Sequence, residues 1–140
     1  AKKVHLVYHI QTTENKVSER SQRKNNLTYR RVLPYYYKAL TLRMNGIEIE
    51  LHPISQRAIY QGKDLNLTST EFLLFYQLIQ SPNGSATRDE LSEKVLGKPL
   101  TPFDRSIDMH MSNLRKKLPL RENDLPWFRT LRGRGYLLVP

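Results

Sequence analysis

Arg105, Met109, Ser112, Asn113 and Lys116 repeat at spacings that an α-helix gathers on one side. With Ile107 as zero and 100° per residue, they fall between about 140° and 240°. A guanidinium, an amide and a hydroxyl on one face are groups that hydrogen-bond to base edges and phosphate oxygens. His110 and Arg115 lie at the margins of that face, within reach of backbone phosphates. Asp108, near its edge, would repel phosphate and is read instead as orienting an arginine. Further on, Thr130 and Leu131 lead into Arg132-Gly133-Arg134-Gly135, and Tyr136 to Val139 returns. Those glycines permit positive φ and a narrow tip between two apolar strands. A narrow cationic tip suits a minor groove, where the potential is most negative. Taken singly, Lys116 or Lys117 is equally well read as part of a solvated face. The helix and hairpin together are far more specific, and they describe binding to duplex DNA.

Other chemistries find little footing. The chain has no cysteine, which excludes disulfides, thiolate zinc sites and cysteine nucleophiles. His5, His9, His52 and His110 lie on separate segments without metal-ligand spacing. Gly133 and Gly135 are not a nucleotide-binding GxGxxG, because the third glycine is absent and no helix follows. Asp104 and Asp108 share a helix face at i, i+4, but with Arg105 beside them a structural role outweighs a cation site. No apolar window approaches ~18 residues, and no signal-peptide pattern opens the chain. The expectation is a cytoplasmic protein that is not an enzyme, with no cofactor, no metal and no membrane contact.

The net charge of +10 favours polyanions, since neutralising phosphates releases condensed counterions. It is unevenly spread: residues 1–40 hold nine Lys/Arg and two acids, and residues 41–140 hold fourteen and eleven. A nucleic-acid reading of the C-terminal part therefore rests on placement rather than on bulk charge. Residues 1–10 alternate weakly, as in a short strand. Residues 11–31 are polar, basic and nearly without periodicity, as in a linker or arm. Tyr35-Tyr36-Tyr37 suits a strand or a packed connection.

The elements that must hold the helix and hairpin are legible from Ala39 on. Leu40-Thr41-Leu42 and Ile47 to Leu51 alternate about an Asn45-Gly46 turn. His52-Pro53 breaks the second strand. Ala58-Ile59-Tyr60 is expected to pair, through Gln61 to Asp64, with Leu65-Asn66-Leu67. Thr68-Ser69-Thr70-Glu71 is a capping-box pattern opening a helix with Phe72, Phe75, Tyr76 and Ile79 inward, stopped by Ser81 to Gly84. Thr87 to Glu90 repeats the pattern ahead of Leu91 and Val95, with Gly97 and Pro99 ending that helix. Pro102 and Asp104 start a third helix whose Ile107, Met111, Leu114 and Leu118 form one buried stripe. The fold class is α+β: an antiparallel β-platform, three helices and a hairpin wing, the layout of a winged helix-turn-helix.

These residues resemble a family. Leu67 to Phe72, Arg105 to His110, Asn113 to Leu118 and Thr130 to Tyr136 look like the effector domain of OmpR/PhoB-type response regulators. The longer run from Leu96 to Pro119, with Pro126-Trp127-Phe128 and Thr130 to Leu137, is similar to its Cpx-type envelope-stress branch. The likeness covers roughly Thr41 to Val139. It implies a two-component transcriptional regulator domain, residues 41–140; the basic extension, residues 1–40, departs from the family, since with only Glu14 and Glu19 it is expected to be no receiver domain. It implies head-to-tail pairs on tandem DNA half-sites, with the third helix in the major groove and the wing at the minor groove. By motif, the family's contacts fall on Arg105, His110, Ser112, Asn113, Arg115, Thr130 and Arg132. The loop Gly97, Lys98, Pro99, Leu100, Thr101 and Pro102 is where the family often meets RNA polymerase. Ser112 and Asn113 stand where several branches carry arginine, so base preference does not transfer from them. The alternative is a winged-helix protein-interaction module, for RNA polymerase for example, with only non-specific DNA affinity.

Overall fold

The computed structural model describes residues 8–14 and 38–140, with side chains from Ala39 onward. Strands β1 (Tyr8–Glu14), β2 (Lys38–Met44), β3 (Ile47–His52), β4 (Arg57–Tyr60) and β5 (Lys63–Asp64) form one antiparallel sheet in that order. Asn45-Gly46 makes the two-residue turn from β2 to β3, with φ of 43° and 82°, the paired positive values a type I′ hairpin requires. Its register sets Leu42 opposite Ile49 and Leu40 opposite Leu51, and all four are buried. A slip of one residue would turn this set to solvent.

Two strands differ from the expectation. The return from β4 begins at Lys63, directly after the turn Gln61-Gly62, rather than at Leu65. The Leu65 amide still donates to Ala58 O at 2.9 Å, and Asp64 Oδ1 then accepts the Asn66 amide at 2.8 Å, bending the chain off the ladder. The described N-terminal strand runs from Tyr8 to Glu14, past the expected end at residue 10, so Gln11 to Glu14 belong to the sheet and not to an arm. All seven residues pair with β2, from Tyr8 opposite Met44 to Glu14 opposite Lys38. The exposed amides and carbonyls of the β2 edge need partners, and β-branched Thr12 and Thr13 suit a strand. Residues 1–7 and 15–37, including the tyrosine run, lie outside the described residues.

Helix α1 (Ser69–Gln80) is capped reciprocally: Thr68 Oγ1 accepts the Glu71 amide at 3.1 Å and Glu71 Oε1 accepts the Thr68 amide at 3.0 Å. Phe72, Phe75 and Ile79 are buried as expected, Leu74 and Leu78 join them, and Tyr76 is only half-buried. A short strand β6 (Ser85–Thr87) precedes α2, which starts as α-helix at Arg88–Leu91 and widens into a π turn over Ser92–Leu96. Here Thr87 Oγ1 accepts the Glu90 amide at 3.0 Å, one half of a capping box. Leu91 is fully buried and Val95 half-buried.

Helix α3 (Ser106–Lys117) is opened by Asp104, whose Oδ1 accepts the Ser106 amide at 2.9 Å. Ile107, Met111, Leu114 and Leu118 are all buried against α1 and the sheet. Each such side chain contributes about 1.5–3 kcal/mol by leaving water. Strands β7 (Phe128–Leu131) and β8 (Gly135–Leu138) form the hairpin, and β6 pairs with β8 to give a second sheet ordered β6-β8-β7. Phe75 meets Trp127 and Phe128 edge-on, at centroid distances of 5.9 and 6.1 Å, joining α1 to the hairpin.

Candidate nucleic-acid interface

With its stripe buried, α3 presents its other side to solvent. Arg105, Met109, Ser112, Asn113, Arg115 and Lys116 are exposed, and His110 is half-buried at the margin. Met109 is 64% exposed, too open for a core residue. Arg115, Lys116 and Lys117 fill the last turn, where cations complement the unpaired carbonyls. Lys117, however, is turned away from this face. Its Nζ lies 2.6 Å from Glu71 Oε1, the capping carboxylate of α1. Burial works to raise the Glu71 pKa, but the Lys117 hydrogen bond and the Thr68 amide prevail and hold it below its ordinary 4.5.

Arg132 and Arg134 are exposed at the wing tip. The turn is closed by the Arg134 amide donating to Leu131 O at 3.0 Å, with Gly133 at φ 67°. Gly135 does not share that role. It lies in β8, opposite Leu131 and Thr87, where a Cβ would sit 2.0 Å from Ala86 O. Its hydrogen lets the β6 backbone pass. The two glycines of the motif therefore answer to different constraints, one conformational and one steric. Thr130 is exposed on β7, and its Oγ1 accepts from Arg115 Nη2 at 3.4 Å.

The arginine that Asp108 orients is Arg88, the first residue of α2, a residue the sequence reading did not single out. Arg88 Nε donates to Asp108 Oδ1 at 3.1 Å, and the Tyr136 hydroxyl donates to the same oxygen. The Arg88 and Arg115 guanidiniums lie 5.3 and 5.8 Å from the Tyr136 ring centroid. Burial, and then the bond to Asp108, push the Tyr136 pKa up to about 12, so the phenol keeps its proton. Burial alone would lower the Arg88 pKa, but the Asp108 hydrogen bond and charge outweigh it and the net shift is upward. A lone acid on a basic helix face was the available signal, but its partner lies twenty residues away in sequence and cannot be read from spacing.

Asp104 pairs with Lys98 Nζ at 3.5 Å besides capping α3. Its pKa is lowered chiefly by the Ser106 hydroxyl and amide. Among the described residues no three His, Asp or Glu side chains gather to hold a metal. In the α2–α3 loop, Gly97, Lys98, Pro99, Thr101 and Pro102 are exposed and Leu100 is half-buried. Phe103, just beyond the expected loop, is 96% exposed with φ 69°. An aromatic held outward on left-handed backbone is costly in both hydration and conformation. Among the described residues no helix is long and apolar enough to cross a membrane.

A platform sheet, three helices with a polar exposed third, and an arginine-tipped hairpin define a winged helix. Residues 62–138 match the family described as "Transcriptional regulatory protein, C terminal". The chain belongs to this family of transcriptional regulator domains, which is not a family of enzymes. It is 57% identical over 91 residues to the transcriptional regulatory protein CpxR of Klebsiella pneumoniae, covering 65% of this chain and 39% of that protein. Against CpxR of Escherichia coli K12 the identity is 58% over 89 residues, covering 64% and 38%. The solved DNA binding domain of E. coli CpxR superposes with TM-score 0.62 at 54% identity, over 71% of this chain and 95% of that one. The K. pneumoniae RstA DNA-binding domain, solved in complex with RstA box, superposes with TM-score 0.57 at 27% identity, over 66% and 91%. The chain thus spans about two fifths of the curated relatives it matches.

Proposed function

We propose that this chain is the sequence-specific duplex-DNA-binding domain of a two-component-type transcriptional regulator, acting in the cytoplasm without catalysis. One observation carries the reading. The exposed side of α3 sets Arg105, Ser112, Asn113 and Lys116 together, while its other side is locked in the core. That is a rigid rod with groups matching the donors and acceptors of a major groove. Arg105 and Asn113 are the base readers in this assignment, and Met109 is an apolar contact beside them. His110, Ser112, Arg115, Lys116 and Thr130 hold the backbone. Arg132 and Arg134 reach the minor groove. The solved RstA complex with its DNA supports this use of the fold.

Two such domains on tandem half-sites would sit head to tail, one helical turn apart. Residues 41–140 are the binding domain in this reading and residues 1–40 an extension that contributes β1 and the start of β2, Lys38 to Leu40, to the platform. A contact with RNA polymerase through Gly97 to Pro102 is favoured by the outward Phe103, an aromatic anchor of the kind protein interfaces bury. The test is fluorescence anisotropy on a tandem-repeat operator pool and on scrambled duplex at about 0.15 M salt, where bare charge attraction is trimmed. Preference for half-sites spaced ~10–10.5 base pairs apart supports the assignment. Equal, steeply salt-dependent binding to both pools would reduce the DNA contact to net charge and leave the protein-interaction module.

A further inference from the structure

The backbone of the wing packs on α1 and β6, while α3 packs on α1. The helix that faces the groove and the hairpin beside it are thus joined to each other through side chains. Those side chains converge on one carboxylate. Asp108 Oδ1, on α3, accepts from the Tyr136 hydroxyl of β8 and from Arg88 Nε at 3.1 Å. Arg88 in turn donates its backbone amide to Arg134 O, in the wing turn, at 2.8 Å. Its guanidinium lies over one side of the packing around Tyr136, and Arg115, which also reaches Thr130, lies within 5.8 Å of the same ring. Asp108 and Arg88 are 29% and 23% exposed at the side chain, so their charges meet largely out of water. Hydrogen bonds to an ionised group in such a setting are strong and directional.

We infer that Asp108 is a positioning residue that locks the wing to α3 through Tyr136 and Arg88, so that helix face and arginine tip meet the duplex as one rigid body. This rests on the DNA-binding reading above. A group held 1 Å from its place forfeits most of its hydrogen bond, so a wing that swings free loses its groove contact without any change in Arg132 itself.

The experiment uses the whole chain with Tyr136→Phe, which keeps the ring and removes the hydroxyl, and with Asp108→Asn. Each is made alone and with Arg132→Ala. Tyr136→Phe is expected to weaken binding to the preferred duplex five- to tenfold in the natural background. With Arg132 already removed the loss should shrink to about two- to threefold, because only Arg134 and Thr130 then remain as proposed wing contacts to misplace. Equal losses in both backgrounds would overturn the proposal in favour of a role in folding alone. A readout without DNA separates this from the broader reading. Exchange of the Arg88 amide in the free protein should quicken at least tenfold in Tyr136→Phe, while amides inside α1 keep their rates. Unchanged exchange at Arg88 overturns the lock whatever the DNA result. If the natural chain binds no duplex, the DNA reading falls and the exchange rates still decide whether the lock exists. Should Asp108→Asn fail to fold, Tyr136→Phe carries both measurements.

Discussion

Gly135→Ala, at the start of β8, is expected to cost more than the Gly133→Ala substitution in the wing turn, although alanine favours strands no less than glycine does. The added methyl carbon would sit 2.0 Å from Ala86 O, 2.7 Å from Thr87 Cα and 2.9 Å from Ala86 C. All three obstacles are backbone atoms, so no side-chain rotation relieves them. Overpacking alone costs about 1–3 kcal/mol. Here β6 must also withdraw from β8, where Ser85, Ala86 and Thr87 pair with Leu137, Tyr136 and Gly135. Losing two of those hydrogen bonds adds roughly 1 kcal/mol each. The total is about 3–5 kcal/mol, a fall in melting temperature of roughly 15–25 °C for a domain near 100 residues. Gly133→Ala is the control, since its Cβ meets open space and only φ 67° is strained, a cost of about 1–2 kcal/mol. Urea and thermal melts by circular dichroism at equal m-values make the comparison. If Gly135→Ala unfolds within ~0.5 kcal/mol of the natural chain, or if Gly133→Ala costs more, the close passage of β6 is not what selects glycine.

Met111→Ala should destabilise by about 2–5 kcal/mol by leaving a core cavity, while its exposed neighbour Ser112→Ala stays within ~0.5 kcal/mol; the same urea melts report both. Asn113→Ala should reduce discrimination between preferred and scrambled duplex by ~1–3 kcal/mol, whereas Arg132→Ala should weaken both and lower the salt slope by about 1. Equal losses of Asn113→Ala on the two duplexes would refute base reading. The Glu71 pKa is depressed on folding, so its ion pair with Lys117 stabilises fully above the ordinary 4.5 and is lost as pH falls through the folded value. The natural chain should therefore lose more stability than Glu71→Gln between pH 7 and about pH 3, and parallel urea midpoints across that range would remove Glu71 from the acid response.

What the sequence made legible was local. The Thr68 to Glu71 box lies within four residues, and the stripe from Ile107 to Leu118 has the period of the helix it forms. Once that stripe was buried, the exposure of Arg105, Met109, Ser112, Asn113 and Lys116 followed from geometry. Long-range features stayed hidden. Asp108 was legible as an acid in need of an arginine, but Arg88 reaches it only because α2 starts beside the wing. Lys117 reads equally well as solvated or DNA-facing from its spacing, and only the packing of α1 brings Glu71 to it. Gly135 reads as a turn residue from its motif, and only the neighbouring strand shows otherwise. The β5 return came earlier than expected because Gln61 and Gly62 complete the turn in two residues, at φ of 50° and 77°, and a glutamine on left-handed backbone is not read from its type.

The attachment of β1 has a kinetic consequence. Strands β2, β3, β4 and β5 follow one another closely, with two-residue turns at Asn45-Gly46 and Gln61-Gly62. The connection from β1 to β2, residues 15–37, is about ten times longer than those turns, which adds roughly 2 kcal/mol of closure entropy in the unfolded chain. The hairpins are therefore expected to form first, with β1 docking onto a finished edge. On this account assembly of the platform should run from the middle of the chain back toward its beginning, with β1 pairing last on folding and parting first on warming.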